Sequence, residues 1–391
     1  MTSAELNSYL DDSRELAMRE IREIIPREGR CHRVLYDLMF DYPLRPAKAL
    51  RPALCVATCR ALGGTVESVG RSAAIVELYH NAFLIHDDVE DGSESRRDGP
   101  TLHRVHGTPI AVNVGDAMLA LALEPLLDNM RVIGMGRALR VLQIVARMAR
   151  ESAEGQALEL DWIRNRQWRL TDTDYLRMVY KKTSWYTFIT PVLIGATVAG
   201  ASPERLRVLR KFAALLGIAF QIQDDVLNLV GESGAYGKEI AGDLWEGKHT
   251  LIVMHMMRTA GRQERAHARR ILARARPHVP ERASHGPRTL VAETLQALER
   301  RGEIGPAARR AIEDALARSG GPDAGSVKTE GEVRYLLELI RRCGSIEHAR
   351  SVSRDFALKA RSILSRAEWI EPSVHRDFLE SLIGYVIDRD R

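Results

Sequence analysis

Two stretches, NAFLIHDDVED at residues 81–91 and GIAFQIQDDVLN at residues 217–228, each place paired acids on an otherwise apolar segment. Side chains four positions apart share one face of a helix, so Asp87 and Asp91 face the same way, and the second stretch repeats this spacing. A buried carboxylate costs free energy unless a cation compensates it. Two such helices facing each other would offer the oxygen ligands that Mg²⁺ prefers, together with substrate phosphates. The alternative interpretation, a solvated helix end, is harder to sustain when the pattern occurs twice.

Helical periodicity continues through most of the 391 residues. Aromatic residues make up only 6% of the chain, and no run alternates apolar and polar residues with β-branched enrichment. We therefore predict an all-α protein in which a sheet is absent. A hydrophobic share of 45% excludes a disordered chain, and the length by itself suggests two or three domains.

Charge, cysteines and targeting signals give weaker indications. Lys and Arg exceed Asp and Glu by 57 − 52 = 5 charges, which is too few to identify a partner. The four cysteines match neither a zinc site nor a CxxC redox motif, and Cys55 and Cys59 are predicted to fill core space. The polar N-terminus lacks a signal-peptide pattern, and the longest apolar run, residues 185–200, is too short for a membrane span. We expect a cytoplasmic protein with no transmembrane segment.

One region, at about residues 258–325, is rich in Arg, Ala and Glu and is broken by prolines and glycines. It is consistent with an inserted pair of helices, a partner surface or a partly disordered segment. Its basic residues invite a nucleic-acid interpretation, but acids are interleaved with them and no aromatic residue is present to stack on bases. We therefore predict a solvated surface and no nucleic-acid partner.

Basic residues flank the two acidic stretches. They occur in AKALRP at 47–52, in the loop after Asp91, in KKTS at 181–184, and in GKEIAGDLWEGKHT at 237–250. Arg binds phosphate in a two-pronged fashion, whereas Lys acts as a point charge. A metal site for one polyanion and a basic patch for another indicate two phosphorylated substrates. The phosphate loops GxxxxGK[ST] and GxGxxG are both missing from the sequence.

These motifs together resemble the trans-isoprenyl diphosphate synthase, or polyprenyl synthetase, family. AKALRP, HDDVEDGSESRRDGPTLH, GQALEL, KKTS, AFQIQDDVLN, GKEIAGDLWEGKHT and GSIEHARSVSRDFALKA occur in the order typical of that family. The resemblance runs from about Ala47 to the C-terminus, apart from the region at about 258–325. It implies one large helical bundle over residues 1–391, the isoprenoid synthase fold, with a central cavity and a homodimeric assembly. Two departures are Ala49 after Lys48, where the family often has Arg, and Asn228, where many members have Asp.

The resemblance also implies roles for individual residues in joining isopentenyl diphosphate to an allylic diphosphate. Mg²⁺ would be bound by Asp87, Asp88, Asp91 and Asp224, with Asp225 and Asn228 orienting waters. The allylic diphosphate would contact Arg96, Lys182, Lys238 and Lys248. Isopentenyl diphosphate would contact Lys48, Arg51, His80 and Arg97, although His80 is also consistent with a buried structural histidine. The carbocation would be shielded by Lys182, Thr183 and Gln221, and the released diphosphate can take the proton.

Product length is predicted from the helix before the first acidic stretch. Phe83 lies one turn before Asp87, with the small Ala82 beside it. In the family, bulk at this point limits the growing chain, so the pair indicates a medium-chain product, geranylgeranyl or farnesyl diphosphate. The alternative is that Phe83 only packs in the core.

Two other functions compete with this interpretation. A class I terpene cyclase of the same fold would use Asp224, Asn228 and Glu232 as a metal triad but needs no isopentenyl site, so the basic set Lys48, Arg51 and Arg97 disfavours it. A non-catalytic subunit of a heteromeric synthase would lose acids from one motif, whereas this chain changes only one Asp to Asn.

Overall fold

The computed structural model describes residues 1–230, 241–276, 294–296, 298–319 and 327–387. The helices up to the second acidic stretch are α1 Ser3–Ile24, α2 Asp37–Met39, α3 Asp41–Leu44, α4 Leu50–Ala61, α5 Val66–Asp91, α6 Leu102–His106, α7 Thr108–Leu121, α8 Leu123–Asp128, α9 Met130–Ile133, α10 Met135–Arg164, α11 Asp172–Val179, α12 Thr190–Val198 and α13 Pro203–Val230. The later helices are α14 Gly242–Glu246, α15 Leu251–Thr259, α16 Arg262–Leu272, α17 Pro306–Ser319, α18 Glu330–Arg342, α19 Ser345–Ser365 and α20 Val374–Ile387. Two π-helical stretches, His32–Tyr36 and Tyr180–Ile189, lie between them.

The prediction of an all-α protein is confirmed, with one small addition. Within the described ranges, the strands are β1 Ser95–Arg96 and β2 Gly99–Pro100, which pair antiparallel in the loop after α5. The two residues between them, Arg97 and Asp98, have φ of 50° and 62°. Positive φ at both central residues is typical of the tight turns that join twisted strands. Because this hairpin is only two residues long on each side, it has no alternating pattern that the sequence could reveal.

Helix α5 carries the first acidic stretch through the middle of the bundle. It begins with a capping box in which the Thr65 hydroxyl accepts a hydrogen bond from the backbone N–H of Ser68, and the Ser68 side chain accepts one from Thr65. It ends at Gly92, whose φ of 61° is left-handed. The helix packs against α1, α4 and α7 and buries residues on all its sides until its last two turns. The acids therefore lie where a fully buried helix emerges from the core.

Apolar side chains form two buried clusters, and α13 contributes to both. Its first half joins α1, α4, α5, α7, α10, α12 and α20 in the larger cluster, while its second half joins α11, α15, α16 and α18 in the smaller one. The second acidic stretch lies in the second half of α13, where it lines the cavity described below. The two cores thus hold α5 and α13 in fixed positions on either side of one space.

The Arg-rich region begins on helices that pack against the bundle. Arg258 lies in the last turn of α15 and forms an exposed ion pair with Asp172 at an N–O distance of 2.6 Å. The next helix, α16, buries Ala268, Ile271 and Leu272 in the smaller cluster, whereas its Arg262, Arg269 and Arg270 are exposed. The basic face of residues 262–272 is therefore solvated, in line with the prediction, and the apolar positions between the arginines attach it to the bundle. Residues 277–293 and 320–326 lie outside the described part.

Two helical stretches pass a length and composition test for membrane spans. These are Thr108–Ile133 and Pro203–Val230, whose most apolar windows are 39% and 67% buried inside the protein. Core helices of water-soluble proteins pass the same test, so the finding is weak evidence. The expectation that no segment crosses a membrane stays a prediction.

Candidate active site

A cavity of about 1110 Å³ lies between α5 and α13. The π-helical stretch Tyr180–Ile189 forms one wall, and α1 and α20 border the cavity on another side. The cavity contains both acidic and basic side chains as well as apolar ones, as a site for molecules with a charged head and an apolar tail requires. The residues singled out from the sequence that line it are Lys48, Arg51, His80, Asp87, Arg96, Arg97, Lys182, Thr183, Gln221, Asp224, Asp225 and Lys248.

The neighbouring acids Asp87 and Asp88 have different surroundings. The Asp88 carboxylate is fully buried, accepts hydrogen bonds from Arg96 (Nε at 2.9 Å) and from the Tyr42 hydroxyl at 2.6 Å, and does not line the cavity. Although burial opposes the charge on Arg96, the pairing with Asp88 raises the pKa of its guanidinium above the ordinary value. Asp87 lines the cavity and receives a weaker contact from Arg96, at 3.4 Å. In this geometry Asp88 fixes the hairpin, and Asp87 is the acid presented to a ligand.

Two lysines connect the acidic end of α5 to other parts of the cavity wall. Lys182 lies 3.3 Å from the Asp87 carboxylate and 2.5 Å from that of Glu159. Lys248 lies 2.7 Å from both Asp91 and Glu246 and 3.9 Å from Asp243. Each ammonium is therefore shared by carboxylates from different helices or loops, and each compensates buried negative charge.

The position of Lys182 depends on a close contact between helices. A Cβ atom on Gly155 of α10 would lie 2.3 Å from the Lys182 backbone nitrogen. Only glycine leaves room for this approach, because any side chain would push the two backbones apart. The π-helical turn at Tyr180–Ile189 then directs Lys182 and Thr183 into the cavity. Gly155 and Lys182 both belong to motifs recognised in the sequence, GQALEL and KKTS.

Burial raises the pKa of Asp91 to about 7 even though Lys248 acts to lower it. The second acidic stretch contains a similar group, because burial also raises the pKa of Asp225 to about 7. Asp225 accepts hydrogen bonds from the Tyr175 hydroxyl and from Gln221 Nε2, both at 2.7 Å. The Thr183 hydroxyl donates in turn to Gln221 Oε1 at 2.7 Å. Three residues of the candidate site thus form one hydrogen-bonded chain that crosses the cavity wall.

The Asn228 side chain is hydrogen-bonded to a backbone group in this structure. Its side-chain oxygen accepts a hydrogen bond from the Asp243 N–H at 3.1 Å, and its backbone carbonyl accepts one from the Ala241 N–H at 2.7 Å. These bonds fasten the start of α14, which leads to Lys248. That Asn228 orients a metal-bound water stays a prediction, and Lys238 lies outside the described residues.

The donors around the cavity suit a hard divalent cation. Asp87 and Asp224 line it and Asp91 borders it, and carboxylate oxygens are the ligands that Mg²⁺ and Ca²⁺ prefer. Burial raises the pKa of Asp91, so a cation bound beside it would favour its charged form. Among the described residues, no three His, Cys, Asp or Glu side chains are close enough to form a metal site as they stand.

A second group of cations lies at the α1 and α20 side of the cavity. Arg51 donates to the Thr187 hydroxyl at 2.8 Å and lies over the Tyr186 ring at 4.7 Å from its centroid. Arg97 donates to the Tyr42 backbone carbonyl at 2.9 Å, and burial lowers the pKa of its guanidinium to about 10.

Lys48 and His80 complete this group. Lys48 lies 2.6 Å from the Tyr385 hydroxyl of α20. His80 stacks on Tyr186, with its ring 5.9 Å away, and its Nε2 lies 3.3 Å from Arg97. Arg51, His80 and Arg97 are therefore grouped around Tyr186 and Tyr42, and Lys48 lines the same cavity at its α20 side.

The predicted floor residues lie beside the cavity rather than in its lining. From α5 the lining residues are Glu77, His80, Leu84 and Asp87, whereas Ala82 is buried in the core. Phe83 makes edge-to-face contacts with Tyr79 and Tyr186, with ring centroids 6.0 and 5.7 Å apart. Since Tyr186 lines the cavity, Phe83 supports the wall from behind.

Several residues of the site were not foreseen from the sequence. Glu159, Asp243 and Glu246 hold the two lysines, and Tyr42 and Tyr175 hold the buried acids. Glu159 and Glu246 lie inside recognised motifs, which was the available signal. The tyrosines have no local signal, because their partners are 46 and 50 positions away.

His249 is a further cavity-lining residue that the sequence did not single out. Its ring contacts Trp168 at 4.7 Å between centroids, and neither of its ring nitrogens has a hydrogen-bond partner within the described structure. Burial lowers the pKa of its imidazole to about 4. The side chain is therefore a neutral ring at the end of the cavity where Lys248 lies.

The chain is similar to known proteins in both sequence and fold. The family model described as polyprenyl synthetase matches residues 32–284. The short chain isoprenyl diphosphate synthase of Methanocaldococcus jannaschii is 35% identical over 240 residues, which is 61% of this chain and 70% of the relative. The geranylgeranyl diphosphate synthase of Methanosarcina mazei is 38% identical over 210 residues, 53% of this chain and 63% of the relative. The crystal structure of geranylgeranyl pyrophosphate synthetase from Pyrococcus horikoshii covers 100% of both chains with a TM-score of 0.78 and 26% identity.

The substitution His249→Phe should change how stability depends on pH. Unfolded His249 takes up a proton near its ordinary pKa of 6.5, whereas the folded protein resists protonation down to about 4, so this residue should lower the unfolding free energy as the pH falls through that window. Phe keeps a neutral ring against Trp168 and removes the titration. Urea unfolding of both proteins at about pH 7 and about pH 5 measures the effect. We expect the variant to lose less stability than the wild type, and an equal loss would contradict the assignment.

Proposed function

The chain belongs to the polyprenyl synthetase family and is a prenyltransferase, and on this basis we propose that it condenses isopentenyl diphosphate with an allylic diphosphate to make geranylgeranyl diphosphate. One observation carries the proposal: a single cavity has an acidic site on α5 and α13 and a separate basic site built from Lys48, Arg51 and Arg97. Two anionic substrates can therefore bind side by side with their apolar tails in the same space.

We propose that the acidic end takes the allylic diphosphate. Asp87, Asp91 and Asp224 would hold Mg²⁺, which supplies charge neutralisation of the leaving diphosphate. Lys182 and Lys248 are placed to contact the same diphosphate, because each already lies among the carboxylates that would surround it. Arg96 lies in the hairpin, where Asp88 fixes its guanidinium, and is proposed to contact the same diphosphate.

The basic end is proposed to bind isopentenyl diphosphate. Arg51 and Arg97 present guanidinium groups suited to two-pronged phosphate contacts, and Lys48 adds a point charge at the mouth near α20. Protein contacts already orient both guanidiniums, so their side chains lose little freedom on binding. The double bond of isopentenyl diphosphate would thus be held facing the allylic carbon.

The wall between the two ends is proposed to stabilise the developing allylic cation. The Thr183 hydroxyl and the Gln221 amide oxygen are hydrogen-bonded to each other and anchored through Asp225. Their oxygens place negative partial charge along the π-helical wall without a group that would be alkylated easily. The proton lost after addition passes to the released diphosphate, so the wall needs no side-chain base.

The alternatives are less well supported. The basic set at Lys48, Arg51 and Arg97 serves no purpose in a terpene cyclase, and Glu232, which that reaction would use, lies outside the described residues. A non-catalytic subunit has no need for carboxylates on both α5 and α13 around one cavity, with Lys182 and Lys248 beside those of α5. Among related enzymes, the Methanosarcina and Pyrococcus proteins named as geranylgeranyl synthases support that product over farnesyl diphosphate.

The deciding experiment supplies isopentenyl diphosphate, each allylic diphosphate in turn and Mg²⁺, and identifies the products by chromatography. We expect linear geranylgeranyl diphosphate, its loss with a chelator, and its loss in Asp87→Asn, because that change removes the carboxylate facing the ligand. Cyclic hydrocarbons formed without isopentenyl diphosphate would instead establish a cyclase. Inactivity with every primer would favour the subunit interpretation.

Phe83→Ala should lengthen the product. Removing the ring leaves space behind Tyr186, into which the cavity can extend. We expect longer prenyl diphosphates from Phe83→Ala than from the wild type in the same chromatographic assay. An unchanged product length would show that Phe83 does not limit the chain.

We also propose a cytoplasmic homodimer formed through the region from α7 to α10. Seven exposed large apolar side chains lie in this part of the chain: Ile110, Val112, Leu123, Leu127, Val132, Met135 and Leu139. Apolar side chains concentrated on one region favour burial against a second copy. Sedimentation equilibrium without detergent should give twice the chain mass of 43.8 kDa. A mass of one chain, or recovery only from membranes with detergent, would contradict the proposal.

A further inference from the structure

The later part of the Arg-rich region, residues 276–326, is called the insertion here, and its two ends meet at a single point of the bundle. Ala275 and Val327 pair as a parallel bridge, and the Lys328 N–H donates to the Ala275 carbonyl at 3.0 Å. The two ends therefore lie side by side, immediately after α16 and immediately before α18. This junction packs against the turn that carries Lys248.

The Lys328 side chain holds that turn by donating a hydrogen bond to a backbone carbonyl group. Its side chain is buried, and its ammonium donates to the Trp245 carbonyl at 2.7 Å. A buried ammonium is costly, so the hydrogen bond is strongly required once the side chain is in place. Gly247, next in the turn, has φ of 79°, and a Cβ there would lie 2.8 Å from the Leu272 carbonyl oxygen. The turn is thus pressed against the end of α16 and cannot move away without breaking this contact.

Arg276 holds the same turn by binding the side chain of Glu246. One carboxylate oxygen of Glu246 accepts from Arg276 at 3.3 Å, and the other lies 2.7 Å from the Lys248 ammonium. Lys248 in turn lies 2.7 Å from Asp91. A continuous chain of charges therefore runs from the insertion junction to the acidic helix of the cavity.

We propose that Arg276 and Lys328 are positioning residues for Lys248, so that the junction of the insertion sets the affinity of the cavity for the diphosphate group. This inference rests on the proposed function, since it assigns Lys248 to the allylic diphosphate. Arg276 shares the negative charge of Glu246, which leaves the Lys248 ammonium less tightly paired and able to turn toward a ligand. Lys328 keeps the backbone of the turn at the correct distance from Asp91.

The variants that test the inference are Arg276→Met and Lys328→Met, which keep an aliphatic chain and remove the cation. Arg274→Met is the matched control, because Arg274 lies at the same junction and pairs with Glu332 of α18 instead of Glu246. Arg276→Lys is the conservative variant that retains the charge. Each is compared with the wild type by calorimetric binding of inorganic diphosphate with MgCl₂, by KM and kcat with an allylic diphosphate, and by Tm.

Arg276→Met and Lys328→Met should each weaken diphosphate binding and raise KM for the allylic substrate about tenfold, the effect typical of losing a group that orients a binding residue. kcat should change less, Arg276→Lys should restore most of the affinity, and Arg274→Met should match the wild type. In a Glu246→Gln background, Arg276→Met should have no further effect, because both act through the same carboxylate.

Two outcomes would overturn the inference. One is an equal loss of diphosphate affinity in Arg274→Met and Arg276→Met, or losses that simply follow Tm, since either would indicate a general structural role. The other is an undiminished effect of Arg276→Met in the Glu246→Gln background. If the wild type makes no prenyl product, the proposed function fails, while the diphosphate-binding comparison still decides whether the junction positions Lys248.

Discussion

The sharing of two lysines, the half-buried Lys182 and the buried Lys248, among carboxylates from different helices is the interaction on which the rest of the site depends. Lys182 joins Asp87 of α5 to Glu159 of α10, and Lys248 joins Asp91 of α5 to Glu246 of α14. Without the lysines, the acids at the end of α5 would repel the neighbouring ones and resist burial. The same contacts place both ammoniums where a diphosphate would be bound, so the arrangement that stabilises the fold also prepares the site.

A second set of contacts holds Asp88 of the first acidic stretch away from the cavity lining. Asp88 is committed to Arg96 and Tyr42, and Tyr42 also accepts a hydrogen bond from the Leu102 N–H at 3.1 Å, which ties the start of α6 to the same point. Arg45 supports the hairpin from outside through the carbonyls of Arg96 and Pro100. One acid of the pair thus builds the hairpin that presents the arginines, and its neighbour faces the cavity.

The sequence was sufficient to predict the all-α fold and the residues that meet around the cavity, because helical periodicity and acidic pairs are local signals. It could not assign roles within the pair Asp87 and Asp88. Adjacent helical residues point about 100° apart, but which one faces the cavity is decided by Tyr42, which is far away in sequence. Phe83 failed to line the cavity for a related reason. The lining face of α5 passes through Leu84 and His80, and this follows from how α5 is rotated against its neighbours rather than from its own sequence. The burial of Ala268, Ile271 and Leu272 could not be recognised from the sequence, because basic residues outnumber the few apolar ones in α16.

The charge balance at the acidic end gives an independent reason to expect a divalent cation in the reaction. Asp87, Asp91, Asp224, Asp225, Glu159, Asp243 and Glu246 surround this end, and the cations paired with them are Lys182, Lys248, Arg96 and Arg276. Burial raises the pKa of both Asp91 and Asp225 to about 7 and so disfavours their charged forms. A diphosphate entering this end would add further negative charge beside these carboxylates. Binding of a divalent cation would add positive charge among them and turn the acids from a barrier into a receptor for the phosphate oxygens. We therefore propose that the acidic end binds a diphosphate together with a metal, whereas the basic end at Lys48, Arg51 and Arg97 binds one with protein groups.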